Sequence, residues 1–143
     1  LVLVNHGPAE IEVGALGTVA FPAGYYVYCG SARRGMAERL RRHRRRRKTR
    51  RWHIDSLTLG PMSILKVYPV RTHRSIERRM ARRLADIADS VVPDFGAGDS
   101  TEGSHLAFFR ANPIPTRAFQ DLILDFRHYR EGIAPAKPEI GGR

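Results

Sequence analysis

Alternating and continuous apolar residues predict four strands in the first 29 residues of the chain. These strands cover residues 1–4, 10–13, 17–21 and 25–29. The last two are joined at Pro22-Ala23-Gly24, which predicts a hairpin between them. In the fourth strand, the alternation places Tyr26 and Tyr28 on one face of the sheet, and Val27 and Cys29 on the other.

The pattern becomes helical from about Gly35, where Met36, Leu40 and His43 form a narrow inward stripe. A longer amphipathic helix is predicted from residue 76 to residue 91, where apolar residues recur at helical spacing. The other predicted elements are a short segment at 52–57, strands at 63–69 and 106–109, a helix at 118–129 and a disordered tail after Gly132. This order predicts an α+β fold, in which a small, mostly antiparallel sheet is flanked by helices.

The composition of the 143 residues is that of one globular domain. No apolar run approaches the roughly 20 residues that a membrane-spanning helix needs, so we expect no membrane partner. Cys29 is the only cysteine, which excludes a disulfide within the chain and a cysteine zinc site. These features favour a cytoplasmic setting.

Positive charge is concentrated in one segment, residues 33–51, which contains twelve Lys or Arg and a single acid, Glu38. The net charge of this segment, +11, equals that of the whole chain. Such a field predicts a polyanionic partner, and arginine suits bidentate contact with phosphate. The apolar stripe of this helix is too narrow to favour a lipid surface. The predicted nucleic-acid-binding residues are Gly30, Ser31, Arg41, Arg42, Arg44, Arg45, Arg46, Arg47, Lys48, Arg50 and Arg51.

A candidate site lies next to this segment, at the end of the fourth predicted strand. Tyr28 and Gly30 are followed by Arg39, and His43 comes one helical turn after Arg39. The strand places the phenol at the sheet edge, and the glycine permits close approach of a backbone or a phosphate. We expect Arg39 and His43 to project from one helix face toward that edge. From the residues alone, Tyr28 is better explained as a core aromatic, and composition does not distinguish Arg39 from one more solvated arginine.

At these residues the sequence resembles the GIY-YIG nuclease superfamily, and within it a family that is sometimes fused to endonuclease III-type glycosylases. Tyr28-Cys29-Gly30 matches the second half-motif, Arg39 the helix arginine and His43 the residue one turn later. The strings Phe21 to Tyr28, Trp52 to Asp55 and Ser104 to Leu106 add to the match. The resemblance covers residues 1 to about 110 as a nuclease-like domain and leaves 111–143 as a C-terminal extension.

The resemblance implies metal-dependent hydrolysis of phosphodiester bonds in nucleic acid. We expect DNA as the substrate in preference to RNA, and we expect no obligate protein partner. It assigns Arg39 to the scissile phosphate, Tyr28 and His43 to the proton of the attacking water, and Glu77 to a single Mg²⁺ or Mn²⁺ ion. A phenol is a poor base unless cations lower its pKa, and we expect the neighbouring arginines to do so. For Glu77 the alternative is a first-turn carboxylate that complements the helix dipole.

Three further residues are candidates for supporting roles around this site: His53, Asp55 and His105. Each has a structural alternative, because the segment that contains His53 and Asp55 also suits packing and capping, and buried histidines are commonly held by a structural hydrogen bond.

Two features depart from the family pattern. The first half-motif, Gly-x-Tyr, is expected at or just before Leu1, and the residues from Leu1 onward do not contain it at the first strand. Ser100 and Glu102 stand where the family often has cysteines. A non-catalytic nucleic-acid-binding module that uses the arginine-rich helix therefore remains the alternative function.

Overall fold

An antiparallel sheet of five strands organises the computed structural model, which describes residues 1–72, 75–97 and 103–128. The elements are β1 (Val2–Asn5), β2 (Ala9–Glu12), β3 (Thr18–Phe21), β4 (Gly24–Tyr28), α1 (Met36–Arg44), α2 (His53–Thr58), β5 (Ser63–Lys66), α3 (Glu77–Ile87), β6 (Ser90–Val91), β7 (Leu106–Phe109) and α4 (Arg117–Arg127), with a 3₁₀ turn at Gly14–Leu16. The strand order is β5-β1-β4-β7-β6, while β2 and β3 form a separate two-stranded sheet. The predicted α+β class is confirmed.

The predicted hairpin between residues 17–21 and 25–29 is wrong. β3 pairs with β2, whereas β4 pairs with β1 on one side and β7 on the other. The amide of Asn5 donates to the carbonyls of Phe21 and Pro22, each at 3.1 Å, and the hydroxyl of Tyr26 donates to Pro22 at 2.7 Å. These hydrogen bonds hold the connection between β3 and β4 in place. At this connection the chain passes from the two-stranded sheet to the five-stranded sheet.

The helix predicted to reach residue 91 ends earlier. α3 stops at Ile87, and Ser90 and Val91 instead pair with β7 as an edge strand. The N–H of Asp89 donates to the carbonyl of Phe108 at 3.0 Å, so pairing with the sheet begins almost as soon as the helix ends. The unpaired backbone groups of β7 decide this boundary, and helical periodicity does not reveal them.

The two faces of the large sheet carry separate hydrophobic clusters. Tyr26 and Tyr28 pack on one face with Phe95, and Val27 and Cys29 on the other. The face assignment made from alternation is therefore confirmed, and Cys29 is a buried free cysteine.

The helix expected within the C-terminal extension is present as α4. Its Phe119, Leu122, Ile123 and Phe126 pack into the same cluster as Val27 and Cys29. Residue 129, the predicted disordered tail, Ser100 and Glu102 lie outside the described residues. Among the described residues, no helix has the length and apolar character that crossing a membrane would require.

Candidate functional site

The candidate site forms at the end of β4, where the antiparallel sheet brings in the beginnings of two other strands. The N–H of Tyr28 donates to the carbonyl of Leu1 at 2.8 Å, and the N–H of Cys29 donates to the carbonyl of His105 at 2.9 Å. Because β1 and β7 both run opposite to β4, residues distant in sequence meet here. His105 is thereby placed beside the tyrosine by backbone pairing.

Gly30 lies directly under the aromatic ring of Tyr28. A Cβ atom at this position would stand 2.8 Å from Cε1 of Tyr28 and 3.4 Å from its hydroxyl oxygen. No side chain fits at that separation, so the glycine is required for the observed position of the ring. Gly30 and Ser31 are both exposed and both line the adjoining cavity.

Four residues predicted to be catalytic line one cavity of about 690 Å³. Tyr28 comes from β4, Arg39 and His43 from α1, and Glu77 from the first turn of α3. The structure therefore brings together side chains from three elements that the sequence places far apart. Arg33, which the sequence analysis did not assign to the site, also lines this cavity.

Tyr28 is almost completely buried, at 7% exposure, and this decides its charge. Burial raises the pKa of Tyr28 to about 12, and the negative charge of Glu77 acts in the same direction. The charge of Arg39 and its side-chain hydrogen bond to the phenol oxygen lower the pKa, but they do not offset burial. The expectation that arginines would lower the pKa of Tyr28 is therefore wrong, and the phenol is neutral at neutral pH.

His43 is also buried and neutral. Burial, followed by the charges of Arg39 and Lys48, lowers the pKa of His43 to about 4. Its ring contacts those of Tyr28 and Trp52 at centroid distances of 6.4 and 6.0 Å. Its Nδ1 atom is buried, and no described residue forms a hydrogen bond with it. The side chain thus keeps one unused polar atom beside Tyr28.

Trp52 supports Arg39, a role that the sequence analysis did not predict. The guanidinium carbons of Arg39 and Arg42 lie 4.4 and 4.3 Å from the centroid of the indole ring. Both distances are within the range of cation–π attraction. Trp52 therefore fixes the direction in which Arg39 leaves α1. The sequence signal is the place of Trp52 at the start of the short predicted segment at 52–57, for which packing and capping are the structural alternative.

Two cations of the predicted nucleic-acid-binding set have other partners. Arg42 donates to both carboxylate oxygens of Asp55 at 2.9 Å and to the carbonyl of Thr49 at 2.8 Å. Lys48, with a side chain only 4% exposed, donates to the carbonyls of Arg42 and His43 and to the hydroxyl of Thr58. These contacts hold the end of α1 against α2. We therefore remove Arg42 and Lys48 from the phosphate-binding set.

The remaining cations of that set are exposed. Glu38 forms ion pairs with Arg41 and Arg45 at 3.4 and 3.2 Å, but both arginines stay more than half exposed. Exposed pairs of this kind contribute little and do not prevent contact with a phosphate. The exposed residues of the predicted set are Arg41, Arg44, Arg45, Arg46, Arg47, Arg50 and Arg51.

Asp55 and His53 both have structural roles. Asp55 accepts the N–H groups of Arg51 and Trp52 at 2.8 and 3.0 Å, in addition to its pair with Arg42. Burial would raise its pKa, but the hydrogen bonds from Arg42 and from the two N–H groups outweigh burial and hold the pKa well below its usual range. Nδ1 of His53 accepts the N–H of Gly96 at 3.0 Å. The capping and packing alternative therefore describes both residues.

His105 lies against the candidate metal ligand. Its Nδ1 atom is 2.7 Å from Oε1 of Glu77, although the two atoms are not aligned as a hydrogen bond. The side chain of Glu77 is 20% exposed and borders the cavity. Among the described residues, no group of three or more histidine, cysteine or acidic side chains is placed to hold a metal ion. A metal held here would depend on Glu77, with His105 beside it.

One family model matches the chain. It carries the description "Domain of unknown function DUF123" and matches residues 1–128, so it includes α4 as well as the site. No curated protein and no solved structure matches the chain.

Proposed function

The chain belongs to the DUF123 family, and we propose that this member is a GIY-YIG-type, metal-dependent nuclease that hydrolyses phosphodiester bonds of DNA in preference to RNA. The observation that carries the proposal is the convergence of Tyr28, Arg39, His43 and Glu77 on one cavity beside the cationic segment. We propose that the protein performs this function in the cytoplasm.

Arg39 is suited to hold the scissile phosphate. It lines the cavity, its guanidinium lies over the ring of Trp52, and its positive charge acts on the phenol of Tyr28. A guanidinium fixed in this way offers donors to phosphoryl oxygens with little further loss of side-chain freedom. The exposed arginines that follow along the chain extend the positive field to neighbouring phosphates.

Glu77 is suited to hold a divalent ion. Mg²⁺ keeps several water ligands in proteins and takes only one or two carboxylates, so a single glutamate at the border of a cavity fits this ion. Mn²⁺ also accepts imidazole, and His105 stands 2.7 Å from Glu77. When bound, such an ion supplies positive charge to the phosphoryl oxygens and lowers the pKa of water.

Tyr28 and His43 act on the attacking water as neutral groups. The guanidinium of Arg39 lowers the pKa of the Tyr28 phenol only in part, so the phenol keeps its proton and can donate a hydrogen bond to the water or the phosphate. His43 contributes the buried Nδ1 atom that no described residue satisfies. Arg39 and Tyr28 thus position the phosphate and the water, while His43 is the nearby neutral proton acceptor.

The same two residues favour a second candidate function, a non-catalytic nucleic-acid-binding module. The pKa of Tyr28 is about 12 and that of His43 about 4, so neither group is balanced for proton transfer near neutral pH. In this alternative, Arg39 and the exposed arginines bind nucleic acid while the cavity performs no hydrolysis.

Cleavage assays separate the two functions. Full-length protein is incubated with labelled branched, nicked and duplex DNA, and with RNA, in the presence of Mn²⁺. We expect Glu77→Gln to reduce cleavage by about 100-fold or more, the scale of removing one preorganised electrostatic contact, without weakening DNA binding. Glu12→Gln, an exposed carboxylate on β2, is the matched control and should leave cleavage unchanged. Equal cleavage by both variants would refute the metal role of Glu77. DNA binding without cleavage of any substrate would favour the binding module.

Salt dependence of binding tests the cationic surface separately. Each phosphate contact contributes about 0.9 to the slope of log K against log salt concentration. The double variant Arg44→Gln/Arg46→Gln should reduce this slope by about 2, whereas Arg117→Gln, on α4, should not change it. An unchanged slope in the double variant would show that Arg44 and Arg46 do not contact phosphates.

A further inference from the structure

The cavity beside Tyr28 continues into an apolar part that the proposed hydrolysis does not use. The walls of this part, which we call the apolar pocket, are Val67, Val70, Ile76, Met80, Leu84 and Phe119. Leu84 and Phe119 belong to the core cluster between the sheet, α3 and α4. The whole cavity, at about 690 Å³, is within the range of pockets that enclose small organic ligands and is far larger than one phosphate requires.

Tyr68 places a polar group at this pocket. Its hydroxyl is buried, and no described residue forms a hydrogen bond with it. The ring centroids of Tyr68 and Phe119 are 5.4 Å apart in an edge-to-face arrangement. The cationic groups of Lys66 and Arg127 lie 5.1 and 5.7 Å from the centroid of the Tyr68 ring. A buried hydroxyl without a partner is costly unless a ligand or a water satisfies it. The ring contacts hold the hydroxyl at a defined position, where it still lacks a hydrogen-bond partner among the described residues.

The chemistry of the pocket matches a nucleobase. A base has apolar faces, which suit the aliphatic and aromatic walls, and a polar edge, which can bond to a hydroxyl. Its nucleotide also carries a phosphate, and Arg39 lies in the same cavity. A lipid chain would leave the Tyr68 hydroxyl unsatisfied, and a free phosphate would leave the apolar walls empty.

We infer that the apolar pocket receives the base of a nucleotide whose phosphate lies at Arg39, so that the substrate is an unpaired or extruded nucleotide. This inference rests on the proposed function, because it uses the same phosphate site. A base within an intact duplex does not reach such a pocket without unstacking. Nicked, branched or single-stranded substrates therefore present the required nucleotide more readily than continuous duplex DNA.

Calorimetric titration of the full chain tests the base contribution without any metal or cleavage. The probes are dAMP, 2-deoxyribose 5-phosphate and inorganic phosphate. We expect dAMP to bind at least about tenfold more tightly than either base-free probe, because only dAMP buries apolar surface in the pocket. Equal affinity for the three probes, or no binding of dAMP, would overturn the inference.

Two variants locate the effect. Tyr68→Phe removes only the hydroxyl and should weaken dAMP by about three- to tenfold, the scale of one hydrogen bond, while Tyr25→Phe is the matched control outside the cavity. Val70→Phe fills the pocket from a residue outside the helices and strands, and should weaken dAMP by about tenfold or more without changing the affinity for inorganic phosphate. If Val70→Phe weakens both probes equally, or neither, the base does not occupy this pocket.

The outcomes distinguish this inference from the proposed function. Tight binding of dAMP without cleavage of any nucleic acid would support the pocket and refute the nuclease. Cleavage that depends on Glu77, combined with equal affinity for dAMP and phosphate, would support the nuclease and refute the pocket.

Discussion

Neutralising Asp55 should destabilise the protein strongly, because this carboxylate holds α1 and α2 together. Its side chain is 0% exposed and accepts two bonds from Arg42, while the ammonium of Lys48 lies 3.5 Å away. Asp55→Asn keeps the shape but removes the charge, so both cations lose their buried counter-charge. Breaking a buried ion pair on one side costs about 3–5 kcal/mol. This is a large share of the roughly 5–15 kcal/mol that stabilises a typical domain.

Urea unfolding, followed by circular dichroism, measures this loss. The matched control is Asp125→Asn, which breaks a half-exposed pair with Arg83 at 3.1 Å. Exposed pairs contribute about 0–1 kcal/mol, so the control should be close to wild type. A loss below about 1 kcal/mol for Asp55→Asn would refute the argument that Asp55 holds the two helices together.

The pH dependence gives a second check on the same residue. The pKa of Asp55 is lower in the folded state than the value of about 3.9 expected in the unfolded chain. As the pH falls through that unfolded value, the unfolded chain takes up the proton first, so the stabilisation by Asp55 is present above it and is lost toward lower pH. The difference in stability between wild type and Asp55→Asn should therefore be constant near pH 6–7 and shrink below about pH 4. A difference that does not change with pH would contradict the assignment.

Three further predictions concern the cavity. Gly30→Ala should displace the ring of Tyr28, because the new Cβ atom would lie 2.8 Å from it, and should lower cleavage by about tenfold or more. Gly7→Ala, where nothing lies within 4 Å of a new Cβ atom, is the control, and equal effects of the two variants on cleavage would refute the steric argument. Trp52→Leu should lower kcat/KM for cleavage, because it removes the ring that supports Arg39, and Trp52→Phe should restore part of the loss. Equal kcat/KM values for the Leu and Phe variants would exclude the cation–π contact. Burial raises the pKa of Tyr28 to about 12, so this phenol should stay largely protonated up to pH 11. Absorbance titration to that pH should therefore count the same number of ionised tyrosines in wild type and in Tyr28→Phe. One fewer ionised tyrosine in the variant would show that the Tyr28 phenol ionises normally.

The alternation in β4, the cationic segment and the order of helices and strands could be predicted from the sequence because each depends on neighbouring residues. The local spacing of Tyr28, Gly30, Arg39 and His43 likewise gave four residues that line one cavity. The hairpin and the end of α3 were predicted wrongly because they depend on partners elsewhere in the chain, the side chain of Asn5 and the edge of β7.

The residue types that a phosphate site needs can be identified from the sequence, since composition and short spacings do not depend on how the chain folds. Which of these residues are free to bind a phosphate depends on the folded structure. Antiparallel pairing placed His105 beside Tyr28, and the packing of α1 on α2 engaged Arg42 and Lys48 with Asp55. Burial then reversed the expected shift in the pKa of Tyr28, because removing a phenolate from water outweighs one neighbouring guanidinium. Contacts and solvent exposure of this kind arise from the folded chain as a whole, and no short segment contains them.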